Sequence, residues 1–177
     1  MKLLMTITDG FEEVEALGTW ALLKRAGLDV TLASLYSSSA TGLHGLFVDH
    51  LTPLSEVDRK AYDMLIIPGG HEYVAEEKDR NFLSLVRDFF LSGRYVAAIC
   101  AGPTILGHLG LLKGRKYTCF TSMDEDFGGT YVDQYVVHDG NLITGRSCAA
   151  SIDFALEIVR VLLGEERLAA LKENIYY

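Results

Sequence analysis

From Tyr95 to Leu112 the chain runs 18 residues without an Asp, Glu, Lys or Arg, close to the shortest stretch that spans a bilayer. Cys100-Ala101-Gly102-Pro103 breaks that stretch in the middle, and Gly107 and Gly110 follow. One continuous helix is therefore a poor reading. The segment reads better as a buried strand, Tyr95-Val96-Ala97-Ala98-Ile99, a sharp turn, and a helix with Pro103 in its first turn, where a missing N–H costs little. A short strand that is apolar on both faces belongs to a parallel sheet covered by helices on both sides. The rest of the chain must supply those helices and the neighbouring strands.

It does so in alternation. Lys2 to Thr8 reads as a first strand, and Asp9-Gly10 as a turn. A helix follows through Glu12, Glu13 and Glu15 to about Arg25, with Val14, Leu17, Ala21 and Leu22 on one face and Gly27 as its stop. Leu28 to Ser34 is a second strand, and the Ser- and Gly-rich stretch to Gly45 a short hairpin. Tyr62 to Pro68 is a third strand ending at Gly69-Gly70, and Arg80 to Leu91 has helical periodicity closed by Gly93. After the helix that ends near Leu109, strands are predicted at Tyr117–Phe120 and Tyr131–Val137. A hairpin turn at His138-Asp139-Gly140-Asn141 leads into Leu142-Ile143-Thr144. Helices at about Ala149–Leu163 and Glu165–Lys172 complete the chain. Such alternation predicts an α/β fold, one domain over residues 1–177, with a mostly parallel sheet and the site beyond the carboxyl ends of its strands.

The bulk numbers exclude several functions. At 49% apolar and 23% charged residues the chain is an ordinary globular sequence. A net charge of −8 with no basic run argues against nucleic acid. Three cysteines without a CxxC pair predict neither a disulfide framework nor a zinc site. The apolar start is too short for a secretory signal, so the expected compartment is the cytoplasm, with no membrane association. The first turn lacks GxGxxG and carries acids that would repel phosphate, so no nucleotide cofactor is expected.

Three predicted turns meet at the same sheet edge, and their residues carry chemistry. Cys100 sits on the strand-to-helix elbow, where free N–H groups and the helix dipole lower a thiol's pKa; the alternative is a small buried hydrophobe. Glu15, between Val14 and Ala16-Leu17, is expected to face the protein while Glu12 and Glu13 face water. A partly buried carboxyl tends to keep its proton and can donate it or move it. Gly69 and Gly70 permit close backbone approach. His71, next along, is either an acid–base group or a solvated loop residue.

Asp9-Gly10-Phe11-Glu12-Glu13-Val14-Glu15, Ile67-Pro68-Gly69-Gly70, Ala97-Ala98-Ile99-Cys100-Ala101-Gly102-Pro103 and Ser151-Ile152-Asp153-Phe154-Ala155-Leu156-Glu157-Ile158-Val159 resemble the ThiJ/PfpI superfamily. Within it they are most similar to the branch of the Parkinson-disease-associated protein deglycase. The resemblance implies a flavodoxin-like three-layer α/β/α sandwich and a homodimer. It makes Cys100 the nucleophile and oxidation-sensitive thiol, places Glu15 against it, and forms an oxyanion hole from the N–H groups of Gly70 and Ala101 beside Gly69. It also implies that Arg25 contributes to the pocket across the dimer, although a helix C-terminal cation is an equal reading. His44 stands where some relatives carry an arginine near the dimer site.

The departures matter as much. Ala101 replaces the histidine of the protease-like branch, which disfavours an amidase or protease. Cys119 stands where a histidine can follow the elbow helix, and it is either a resolving thiol or a core residue. Arg146 is followed by Ser147-Cys148-Ala149 in place of a Gly-Pro-Gly stretch. The expected function is a cofactor- and metal-free, cysteine-dependent glyoxalase or deglycase acting on small 2-oxoaldehydes such as methylglyoxal. The alternative is a non-enzymatic peroxide sensor with chaperone-like output, oxidised at Cys100.

Overall fold

The computed structural model describes residues 1–177. Its order begins with β1 (Lys2–Thr6), a π-helical turn at Val14–Gly18, α1 (Thr19–Arg25), β2 (Asp29–Ser34), the paired strands β3 (Ala40–Thr41) and β4 (Phe47–Val48), and β5 (Thr52–Pro53). Then come β6 (Met64–Ile67), α2 (Tyr73–Glu76), α3 (Arg80–Leu91), β7 (Tyr95–Ile99), α4 (Gly102–His108), β8 (Lys116–Tyr117) and β9 (Thr130–Tyr131). The chain closes with β10 (Val136–Asp139), β11 (Leu142–Gly145), α5 (Ser151–Leu163) and α6 (Glu165–Asn174).

Seven strands form one sheet in the order β10-β11-β7-β6-β1-β2-β5. Only the β10–β11 hairpin is antiparallel within it. Alternation along the strands sends successive side chains to two cores. Met5, Ile66, Ala97 and Ile143 face Leu23 of α1 and Phe154 and Ile158 of α5. Leu4, Leu65, Val96 and Leu142 face Phe82, Leu85 and Phe89 of α3 and Ile105 of α4. The mostly parallel sheet expected from the alternation and the flavodoxin-like sandwich implied by the resemblance are the fold observed. Helix α3 starts where the Asp79 side chain accepts from Phe82 N–H at 2.9 Å, an N-cap that satisfies one orphan donor. It stops before Gly93, whose φ is +77°.

From β1 the chain moves outward to β2 on one side, and later to β6 and β7 on the other. The strand order therefore reverses between β1 and β6. The crevice outside the carboxyl ends of the strands at such a reversal is the usual ligand position in a doubly wound sheet.

Two predicted strands are corrected. Tyr117–Phe120 contracts to β8, which pairs in parallel with β9 in a separate two-stranded sheet. Tyr131–Val137 is not one strand: Gln134 N–H donates to Val132 O at 2.8 Å, a three-residue turn that separates β9 from β10. The first helix is also irregular, because its opening is the π turn Val14–Gly18 rather than α-helix.

Candidate active site

Helix-start geometry supplies the first group. A π turn places one more residue in a turn than an α-helix does, so the residues of this turn leave the face that α-helical spacing assigns them. Val14, expected on the apolar face, is 55% exposed, whereas Glu15 is only 1% exposed. Glu15 Oε2 accepts from Gly69 N–H at 2.9 Å, and Glu12 Oε2 accepts from Glu15 N–H at 2.7 Å. Glu12 is half-buried and lines the pocket with Glu15; it does not face water as expected.

The second group comes from β7. All residues of Val96–Ile99 are buried, and the chain then turns at Cys100 with φ of +63°, a conformation that costs a non-glycine residue about 1–3 kcal/mol and persists only where the surroundings enforce it. Cys100 N–H donates to Gly145 O at 2.9 Å, and Cys100 O accepts from Phe120 N–H at 2.8 Å. Both backbone groups are thus tied down, and the side chain is turned into the crevice rather than along the sheet.

The third element is the turn after β6. Gly70, with φ of +101°, bridges to Phe11, and Gly69 O accepts from Glu12 N–H at 2.9 Å. A Cβ on Gly69 would lie 2.5 Å from Cys100 Cβ and 2.6 Å from Glu15 Oε2, so only glycine fits between these two groups. The N–H groups of Ala101 and Gly70 lie near enough to the Cys100 thiol to favour its thiolate.

The electrostatics differ from the expectation of a lowered thiol. Burial pushes Cys100 up and the neighbouring Glu15 carboxylate pushes it further, outweighing the pull of the two N–H groups. Burial also raises Glu15, to about 7, against the opposing effects of Cys100 and Gly69 N–H. Glu15 Oε1 completes no hydrogen bond, although the thiol lies within its interaction range. Two such groups repel when both are ionised, so they titrate as a pair that passes from two protons to one as pH rises through about 7. Glu15 is thereby placed to exchange a proton with Cys100.

Around the thiol is a cavity of about 430 Å³ lined by Glu12, Glu15, Gly70, Cys100 and Ala101, with Leu43, His44, His71, Tyr73, Phe120, Met123, Ser147 and Cys148 as its walls. His71 is exposed at the rim. His44 joins this chain's own pocket: its N–H and Nδ1 meet the Glu13 carboxylate at 2.6 and 2.8 Å. The ligand atoms of Glu12, Glu13 and His44 lie within 4.8 Å of one another, but these hydrogen bonds already employ them to hold the hairpin over the site.

Within one chain three expected residues do not line this pocket, although Arg25 was expected there only across a dimer. Arg25 is exposed at the end of α1 and donates to Asn174 Oδ1 at 3.4 Å. Arg146 is drawn out of the pocket by Asp133 Oδ1 at 2.6 Å and lies 4.6 Å from the Tyr135 ring centre. Cys119 is fully buried and packs with the α3–α4 core, whereas Cys100 packs against the opposite one; burial pushes the Cys119 thiol up to about 12.

Sequence reasoning missed a buried layer beneath the site. Glu72 and Glu76 are both fully buried on the turn that becomes α2. Glu72 Oε2 accepts from Thr8 N–H at 2.6 Å, and Glu76 Oε1 from Thr6 Oγ1 at 3.2 Å. Burial and the charge of Glu76 hold Glu72 well above the usual carboxylate range, and burial lifts Glu76 to about 8. The i, i+4 spacing of the two acids was visible, but nothing in the sequence set them apart from solvated glutamates.

The model of the DJ-1/PfpI family matches residues 1–161. Deglycase TK1284 of Thermococcus kodakarensis is 33% identical over 165 residues, covering 92% of this chain and 99% of its own. Protein dj-1beta of Drosophila melanogaster is 32% identical over 180 residues, 97% of this chain and 95% of its own. Among solved structures, the DJ-1 superfamily protein STM1931 from Salmonella typhimurium, a mutant form, superposes with a TM-score of 0.93 at 32% identity, covering 99% of this chain and 98% of that one. Drosophila melanogaster DJ-1beta gives 0.92 at 30% identity, covering 99% and 97%.

Proposed function

Since the chain belongs to the DJ-1/PfpI family, we propose that it is a cysteine-dependent enzyme of the deglycase and glyoxalase kind, acting on small 2-oxoaldehydes. The observation that carries this reading is the convergence of the Cys100 thiol, the Glu15 carboxyl and the N–H groups of Gly70 and Ala101 on one cavity. Relatives in the family are named deglycases.

In this reading Cys100 Sγ attacks the aldehyde carbon while Glu15 takes the thiol proton. The developing oxyanion is met by Gly70 and Ala101 N–H, donors already fixed by the fold. Glu15 returns its proton to that oxygen, giving a hemithioacetal. It next removes the C1 proton and delivers it to C2, while the proton of the C1 hydroxyl passes to the C2 oxygen, so the adduct becomes a 2-hydroxy thioester. Water then releases the 2-hydroxy acid and restores the thiol; methylglyoxal would give lactate. One carboxyl can serve each transfer in turn because its pKa lies near 7, where both protonation states are populated. In this reading His71, exposed at the rim, serves the hydrolytic water rather than the thiol.

The cavity suits such a substrate: it is small, and its acidic floor would resist phosphorylated or carboxylated compounds. The homodimer implied by the resemblance belongs to the same proposal. Val14, Leu46 and Phe47 are 55%, 48% and 63% exposed on the segments beside the pocket, and sedimentation would report whether they are covered. A cytoplasmic setting is likewise proposed; no helix is long and apolar enough to cross a membrane. The test of activity is loss of methylglyoxal with appearance of lactate, without glutathione, for wild type and Cys100→Ser. Turnover that vanishes in the variant supports the assignment. No turnover, or equal loss with both proteins, overturns it.

A further inference from the structure

The cavity holds two thiols, and the carbonyl reaction uses one. Cys148 is exposed and lines the same pocket as Cys100. It comes from the Ser147-Cys148-Ala149 loop that follows β11. The pairing of β7 with β11 aligns Ile99 with Gly145, and Cys100 N–H donates to Gly145 O at 2.9 Å. Cys148 is therefore three residues from the direct neighbour of Cys100. Three residues span at most roughly 10 Å when extended, so a disulfide, which needs Cα atoms within roughly 7 Å, requires this loop to fold back towards Cys100. The loop is also turned back on itself, with Ala150 N–H donating to Ser147 O and Ser151 Oγ to Cys148 O, each at 2.8 Å.

We propose that Cys148 is a resolving thiol for Cys100, so that the pocket reduces small hydroperoxides through a Cys100–Cys148 disulfide. Cys100 Sγ attacks the distal peroxide oxygen, the O–O bond breaks, and the leaving alkoxide or hydroxide takes the thiol proton. Sulfur is oxidised by two electrons to a sulfenic acid, and the peroxide is reduced to alcohol or water. Cys148 Sγ then attacks the sulfenic sulfur. The S–S bond forms, the S–O bond breaks, and the hydroxyl departs as water with the Cys148 proton. An external dithiol reductant restores both thiols by disulfide exchange.

Cys119 does not fill this role. It has no exposure, and it packs on the other face of the sheet from Cys100. The Glu15 carboxyl lines the same cavity beside the reacting sulfur.

The experiment treats reduced wild type, Cys148→Ser, Cys148→Ala and Cys119→Ser with one equivalent of hydrogen peroxide, followed by intact-mass measurement and peptide mapping. Wild type and Cys119→Ser should lose two hydrogens, yield a Cys100–Cys148 peptide pair within one chain, and recover both thiols with dithiothreitol. Both Cys148 variants should instead carry Cys100 onward to irreversible sulfinate and lose about tenfold or more in dithiothreitol-supported peroxide consumption. Because Cys148 is exposed, these variants are expected to fold, and circular dichroism verifies it. The proposal is overturned if wild type reaches sulfinate as fast as the Cys148 variants. It is equally overturned if Cys100 pairs with Cys119, if disulfides form only between chains, or if Cys100 does not react. None of these readouts depends on carbonyl turnover, so this proposal and the carbonyl reading fail separately.

Discussion

The Cys100 sulfur gains two N–H donors but is buried beside a carboxyl, and the net effect is to disfavour a free-standing thiolate. Its reactivity then depends on where the pair keeps its single proton. With Glu15 near 7, a pair that must give up a proton before it can act as base should turn methylglyoxal over faster as pH rises through about 7. Glu15→Gln should remove that limb of the pH–rate profile and lower kcat roughly a hundred- to ten-thousandfold, the range for losing a positioned acid–base group. A profile unchanged in the variant would remove Glu15 from proton transfer. Cys100, Glu15 and Gly70 were legible in the sequence because each sits at a turn whose neighbours fix its direction. The direction of the thiol shift was not, since it depends on desolvation and on a carboxyl that arrives from the distant π turn after β1. Val14 was misplaced for a related reason: an α-helical period was assumed where a π turn stands.

At the scale of elements, the site is held by two turns locked face to face. The β6 turn reaches the β1 turn through the Phe11–Gly70 bridge, Gly69 N–H to Glu15, and Glu72 to Thr8 N–H. Gly69→Ala would drive a methyl into the space between Cys100 and Glu15. The expected outcome is loss of most turnover with the far-ultraviolet dichroism of the fold retained, because the closest collisions are with the Cys100 and Glu15 side chains, and Ile99 O of β7 is met only at 3.0 Å. Glu72 belongs to the clamp rather than to the chemistry. Glu72→Ala strands a buried Thr8 N–H and should cost about 1–3 kcal/mol, read as a lowered urea midpoint. Glu72→Gln keeps an acceptor and should recover much of that loss; equal destabilisation by both variants would show that the hydrogen bond is not what matters. The four residues of α2 were unreadable beforehand because its two inward glutamates break the apolar pattern on which helix recognition rests. Arg80–Leu91, with Phe82, Leu85, Val86 and Phe89 turned inward, was legible to the residue.

Across the whole molecule, the same contrast separates the central sheet from its margin. Strands β1, β6 and β7 are short apolar runs between glycine-rich turns, so alternation with helices was enough to fix their class and the edge at which the site forms. Strands β8 and β9 are two residues each and leave the main sheet, a choice made by packing of Tyr117, Phe127 and Tyr131 that no local pattern records. The fold also encloses three carboxyls, Glu15, Glu72 and Glu76, each 1% exposed or less and each raised by burial above its ordinary value. A carboxyl raised in the folded state binds more protons there than in the unfolded chain between the unfolded pKa and the folded one. Its contribution to stability is therefore complete below about pH 4.5 and is lost as pH rises through about 7 for Glu15 and about 8 for Glu76. The exposed Glu13–His44 pair adds little, because water and salt screen it. The thermal midpoint should accordingly fall between pH 5 and pH 8 by an amount equivalent to roughly a few kcal/mol, opposite to the rise produced by salt-bridged surface acids. Glu76→Gln, which places a neutral group of the same shape beside Thr6, should flatten the upper part of that fall. A midpoint that rises over this interval, or a slope untouched by Glu76→Gln, would mean that the buried acids titrate normally and that the interior beneath the site is wet.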